Sequence, residues 1–266
     1  MYTINVIMLM PKKYIVANWK MNPQSVAEAE DILAYIDEHL GQSLVNQERI
    51  SLIICPPFVF LDDVSKILKN SKLSDQAELG AQDIALADSG AWTGEVSGPM
   101  LKRLGVKYVI VGHSERRWKM GESDEMVNKK LKTILANELT PIVCVGERER
   151  NNEFKEFLKQ QIEATFAGLS ADDIGKCLIA YEPVWAISTN PNAQPDTPES
   201  ALESIAVIKD CLAKSYSLVT NPLFLYGGSV TATNTKDFLS LNEIASVLVG
   251  GASVKKEEFV EILKNS

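Results

Sequence analysis

Histidine is scarce in this chain. Only His39 and His113 occur among 266 residues, which argues against a histidine-based metal centre. The four cysteines, Cys55, Cys144, Cys177 and Cys211, show no CxxC or other ligand spacing. They read as buried, reduced thiols of a cytoplasmic protein. Basic residues are outnumbered 27 to 35, and the formal net charge of −8 withholds the basic face that nucleic-acid binding needs. A small anionic ligand stays possible, because a local site can oppose the global field. Long apolar runs are missing as well. No run approaches the roughly 18 residues of a membrane span, so no membrane role is expected and the protein reads as soluble. The start, "MYTINVIMLMPKK", is apolar but lacks a basic leader and a small-residue cleavage site. It reads as an N-terminal extension over residues 1–11, with Met10 as an alternative start.

What is present is ample apolar material, 45% of the chain, enough for a sizeable core. It falls into eight short runs: "YIVA" (14–17), "SLIIC" (51–55), "LGAQ" (79–82), "KYVIVG" (107–112), "PIVCVG" (141–146), "CLIAYE" (177–182), "PLFLYGG" (222–228) and "ASVLVGG" (245–251). Most are continuous rather than alternating, as in parallel strands buried on both faces. Helical periodicity lies between them. Val127, Leu131, Ile134 and Leu135 share one face, and Leu202, Ile205, Ile208 and Leu212 share another. Ser123 before two acidic residues, and Thr197 before Pro198, mark helix starts. Strand then helix, eight times, predicts an α/β fold. A closed (β/α)8 barrel over residues 12–266 as a single domain is the leading reading, and an open doubly wound sheet is the alternative.

A barrel of this kind carries its chemistry at the C-terminal ends of the strands. "YGGSV" and "VGGAS" follow the last two runs. Each pair of glycines suits a tight turn, and two pairs at these places suit an anion site built from backbone N–H groups. His113 ends the fourth run. If Ser114 opens a short helix, the helix dipole favours a neutral ring able to donate a hydrogen bond. Lys20, after the first run, is a solvated charge, a source of positive potential or a Schiff-base nucleophile. Glu182 ends the sixth run and is followed by Pro183, which stiffens its exit. It is either an ion-pair partner below the rim or a base whose proton affinity is raised by desolvation.

In order and approximate spacing, "NWKMN", "AQDIALADSGAWTGEVS", "VGHSERR", "GESDE", "CVGE", "YEPVWAI", "YGGSV" and "LVGGAS" resemble the triosephosphate isomerase family, from about residue 12 onward. The resemblance implies a TIM barrel that interconverts dihydroxyacetone phosphate and D-glyceraldehyde 3-phosphate through an enediolate, in glycolysis and gluconeogenesis, with no cofactor and no metal. It implies Glu182 as the base, His113 as the neutral electrophile and Lys20 as the fixed positive charge. Asn18 is then an oxyanion donor, and Glu115 the partner that positions Lys20. The N–H groups of Ser188, Ser229, Gly250 and Gly251 are the implied phosphate cradle. "AWTGEVS" resembles the family's dimer loop, which implies a homodimer with Thr93 reaching the neighbouring site.

The lid departs from the family pattern. Where "AIGTGK" is usual, this chain reads "AISTNPNAQPDTPE", with Ser188 and Asn190 in glycine positions and extra residues before the next helix. Asparagine tolerates the left-handed region better than serine does. Pro191 and Pro195 are expected to stiffen the C-terminal hinge. An active isomerase with altered lid kinetics is the expectation. A Schiff-base aldolase using Lys20 and a non-catalytic scaffold are the competing readings.

Overall fold

The computed structural model describes residues 12–45, 50–188, 190, 193–216, 222–244 and 246–266. The expected extension over 1–11 and Pro191 lie outside the described residues. The first half of the chain runs β1 (Lys13–Asn18), α1 (Val26–Val45), β2 (Ile50–Cys55), α2 (Leu61–Lys69), β3 (Ala77–Ala81), α3 (Gly98–Arg103), β4 (Val106–Val111), α4 (Ser114–Lys119) and α5 (Asp124–Ala136). The second half runs β5 (Thr140–Val145), α6 (Phe154–Thr165), α7 (Ala171–Gly175), β6 (Leu178–Tyr181), α8 (Pro198–Tyr216), β7 (Leu223–Tyr226), α9 (Thr235–Leu239), β8 (Ser246–Val249) and α10 (Lys256–Lys264).

The strands pair in parallel in chain order, and β8 closes on β1. The structure is therefore the closed barrel and not the open sheet. Each strand lies within a few residues of its apolar run. The largest offset of a strand start is at β3, which begins at Ala77 rather than Leu79. Glu78 hid that start: it is a charged residue inside the strand and ion-pairs with Lys107 of β4.

Side-chain alternation builds two cores. Val16, Ile53, Ile110, Ile142, Leu225 and Leu248 point inward and pack with Cys55 and Cys144 inside the barrel. Their neighbours along the strands point outward and pack against the helices. The barrel is thus filled rather than hollow, and substrate chemistry is confined to its mouth. The four cysteines are free thiols. Burial pushes the Cys177 thiol up to about 12. Among the described residues, no helix is long and apolar enough to cross a membrane.

One glycine has a steric role that bears directly on the mouth. A Cβ on Gly146, after β5, would come within 1.8 Å of the Glu182 carbonyl oxygen. The missing side chain lets the end of β6 lie against the end of β5, where Glu182 N donates to Val145 O at 2.8 Å. That close packing places the Glu182 backbone.

Candidate active site

Three strand ends supply the central groups. Lys20 follows β1, His113 follows β4 and Glu182 follows β6. Asn18, His113 and Glu182 are all buried.

The start of α4 organises two of them. His113 is the residue before the helix, and its Nδ1 accepts the backbone N–H of Glu115 at 3.2 Å. An accepting Nδ1 carries a lone pair, so the ring is neutral and its proton sits on Nε2. The expected helix is present, and the contact at Nδ1 is the one a neutral imidazole makes. The adjacent N–H, of Ser114, donates to Glu182 Oε2 at 2.8 Å. The first turn of a helix is a favourable place for a carboxylate, because its N–H groups lack partners within the helix. His113 Nε2 stands 3.2 Å from Glu182 Oε1. It is not aligned as a hydrogen bond, so Oε1 is buried without a full donor. The Cys144 thiol lies beside the same carboxylate. Burial first, and the Glu182 charge second, push that thiol well above its ordinary range.

The helix that does this is held from below. Arg117 Nε donates to Gly112 O at 2.6 Å, and its guanidinium pairs with Asp124. Arg116 pairs with Asp83 at 2.8 Å and with Glu122 at 2.7 Å. Lys130 joins the same two carboxylates at 2.6 Å each. Burial raises Asp83 above the ordinary carboxylate range despite these cations. Glu122 is held below it, because Arg116 and Lys130 outweigh the effect of its burial.

Lys20 has φ of 55°. That value is uncommon for a residue with a side chain, and such strain collects at functional sites. Three contacts hold it. Its N–H donates to Asn18 Oδ1 at 3.0 Å, its carbonyl accepts Gln82 Nε2 at 2.8 Å, and Nζ pairs with Glu115 at 3.0 Å. The expected Lys20–Glu115 partnership is therefore in place. The ion pair also disfavours the Schiff-base reading, since a nucleophilic lysine needs a neutral amine and gains nothing from a carboxylate neighbour. The end of β8 is close by: a Cβ on Gly250 would come within 3.2 Å of Lys20 Cε.

The lid leaves β6 through a 3₁₀ turn at Val184–Ala186. Glu147 anchors that turn, since its Oε1 accepts from Tyr181 Oη at 2.8 Å and Trp185 Nε1 at 2.9 Å. Ser188 N donates to Ser229 Oγ at 2.8 Å, and Ser229 Oγ donates to Ala186 O at 2.9 Å. Among the described non-glycine residues only Lys20 and Glu138 have positive φ. Ser188 therefore does not use glycine's freedom in this conformation. Thr93 lies apart from these groups, on an exposed loop after β3.

Several supporting residues were not assigned roles from sequence: Gln82 under Lys20, Glu147 under the lid, Arg116 and Arg117 within α4, and Cys144 beside Glu182. All of them directly follow a strand or lie in a quoted motif at a strand end, which was the available signal.

The Glu115 carboxyl is subject to two opposed effects. Burial raises its pKa, but the charge and hydrogen bond of Lys20 outweigh this, and it lies below the ordinary value of 4.5. A depressed carboxyl contributes stability that is present above its unfolded pKa and lost as pH falls through its folded pKa. The denaturation midpoints of wild type and Glu115→Gln should therefore differ by a constant amount from neutrality down to about 4.5. Below that they should converge. Convergence already near neutrality would contradict the pairing.

A family model described as triosephosphate isomerase matches residues 13–266. The triosephosphate isomerase of Alkaliphilus oremlandii is 40% identical over 260 residues, covering 96% of this chain and 99% of that protein. That of Caldanaerobacter subterraneus is 41% identical over the same length and coverage. The crystal structure of triosephosphate isomerase from Bartonella henselae matches with a TM-score of 0.79 at 30% identity, over 96% of this chain and 98% of that one.

Proposed function

This chain belongs to the triosephosphate isomerase family and interconverts dihydroxyacetone phosphate and D-glyceraldehyde 3-phosphate, and on that premise we propose how its own side chains divide the reaction. Glu182 is the base. Its carboxylate takes a proton from the carbon next to the carbonyl and returns it to the neighbouring carbon. His113 donates its Nε2–H to the substrate oxygen on which charge develops. The observation that carries this assignment is Nδ1 accepting the Glu115 N–H, which leaves Nε2 as the donor 3.2 Å from Glu182. Lys20 supplies fixed positive charge to the enediolate. Asn18 turns its carbonyl oxygen to the Lys20 backbone, which leaves its amide N–H groups to serve the same oxyanion. Groups placed in advance around a developing oxyanion are usually the largest contribution to such a rate.

The phosphate lies on the N–H groups of Ser188, Ser229, Gly250 and Gly251. Binding then requires two exchanges. The Ser188 N–H leaves Ser229 Oγ for a phosphate oxygen, and Glu182 leaves the Ser114 N–H for the substrate carbon. In a coupled isomerase assay, Glu182→Ala should lose about 10²–10⁴-fold in turnover, as expected for removing a general base. Activity near the wild-type level would overturn the assignment.

The lid's serine and asparagine tune its motion rather than abolish it. Ser188→Gly combined with Asn190→Gly should change turnover or substrate affinity by a few-fold, the scale of a gating effect. Identical steady-state constants would remove this role.

The working assembly is a homodimer in the cytoplasm. Met21, Val59 and Trp92 are exposed large apolar side chains on the loops after the adjacent strands β1, β2 and β3. Apolar side chains clustered on one face suit a partner. The loop 88–95 stands exposed as well, and in this reading its Thr93 reaches the partner's active site. Sedimentation should give twice the chain mass, and Trp92→Glu should shift it to one chain with lower turnover. A wild-type monomer that retains full activity would contradict the dimer.

A further inference from the structure

Gln161 lies on α6, which contributes no group to the mouth of the barrel, yet its polar side chain is only 3% exposed. A buried amide calls for a hydrogen-bond partner. The partner is at a strand end: Gln161 Oε1 accepts the Gly146 N–H at 2.8 Å. Gly146 stands one residue beyond β5. The residues on either side of it carry the last bonds to the segment that bears Glu182. Val145 O accepts the Glu182 N–H at 2.8 Å, and Glu147 O accepts the Val184 N–H at 3.0 Å. Gly146 itself lies so close to the Glu182 carbonyl that no Cβ fits between them. The Glu182 backbone is therefore seated on three residues whose middle N–H is held by Gln161.

The same face of α6 reaches α4. Thr165, four residues on and fully buried, has its hydroxyl 3.4 Å from Arg117 Nη2 and 3.3 Å from Asp124 Oδ1. Its carbonyl accepts Asn128 Nδ2 at 2.8 Å. Residues four apart sit on one face of a helix. Arg117 belongs to the helix whose first N–H groups hold Glu182 Oε2 and His113 Nδ1. One face of α6 thus grips two supports: the seat of the Glu182 backbone and the helix on which its carboxylate rests.

We infer that Gln161 is a positioning residue for proton transfer: by holding the Gly146 N–H it sets the distance from the Glu182 carboxylate to the substrate carbon. This rests on Glu182 being the base. Gln161 does not touch the reacting atoms and acts through the backbone of β5 and β6. Rates are steep in such distances, and a misplacement of about 1 Å costs on the order of a hundredfold. The phosphate contacts assigned above come from the lid and the ends of β7 and β8, so substrate binding does not run through Gly146. Loss of the Gln161 bond is felt in turnover and not in substrate affinity.

Three variants test this. Gln161→Leu has no acceptor for the Gly146 N–H, Gln161→Asn is too short to reach it, and Gln161→Glu keeps it. The substrate is D-glyceraldehyde 3-phosphate with hydrogen or deuterium on C2, the position from which Glu182 takes its proton. The leucine and asparagine variants should lose about tenfold or more in kcat with KM unchanged. Their deuterium isotope effect on kcat should rise above that of wild type, because slowed proton transfer replaces lid opening or product release as the limiting step. The glutamate variant should stay near wild type in both respects. Adding Gln161→Leu to Glu182→Ala should cost nothing further. A loss carried by KM, an unmoved isotope effect, a glutamate variant as impaired as the leucine one, or losses that multiply would each overturn the proposal. Failure of both the leucine and asparagine variants to fold would assign Gln161 to the fold alone and overturn it as well. Glu182→Ala by itself tests the base assignment separately: full activity there removes that assignment, whereas wild-type kinetics in the Gln161 variants remove only the positioning role.

Discussion

Two consecutive backbone N–H groups at the start of α4 set the state of the active site. Ser114 N–H holds the Glu182 carboxylate, and Glu115 N–H holds His113 Nδ1. The first keeps a buried negative charge hydrogen-bonded in the empty enzyme. The second makes the imidazole a neutral donor. Both depend on where one turn of helix begins. This explains why a six-residue helix is braced by two arginines that reach Gly112, Asp83, Asp124 and Glu122. Buried ion pairs are poor sources of net stability, because desolvation offsets much of their attraction. Their effect here is to fix a backbone position from which two side chains take their geometry.

Lys20 shows the same logic with strain in place of a helix. Its backbone sits at positive φ, and Asn18, Gln82 and Glu115 hold its N–H, its carbonyl and its ammonium respectively. A residue held at both ends of its backbone and at its tip has few other places to go. Its charge is therefore fixed in space before any substrate arrives, and little reorganisation remains for the reaction.

The barrel was legible because buried parallel strands are written as continuous apolar runs, and eight of them recur. The exception is instructive: β3 starts two residues early because Glu78 satisfies its charge across the sheet with Lys107. A cross-strand ion pair leaves no trace in a single run of sequence. The residues of the site were legible for a related reason. Lys20, His113 and Glu182 each end a strand, and strand ends converge at the mouth of a closed barrel. Their supports were not. Gln82 reaches Lys20 across 62 positions, and Ser114 reaches Glu182 across 68. Only the closed topology shows which distant carbonyl or carboxylate each one meets. The lid lies between these cases. Its departure from the family pattern is visible in the letters, but the bond from Ser188 N–H to Ser229 is a property of packing.

The central claim is that His113 is neutral with its proton on Nε2, because the Glu115 N–H occupies Nδ1. With only His39 as a second histidine, ring nitrogens labelled with ¹⁵N give few signals to separate. At neutral pH the empty enzyme should show His113 Nδ1 with the shift of an unprotonated nitrogen and Nε2 with that of a protonated one. Two protonated nitrogens on His113, or a proton on Nδ1 alone, would contradict the account.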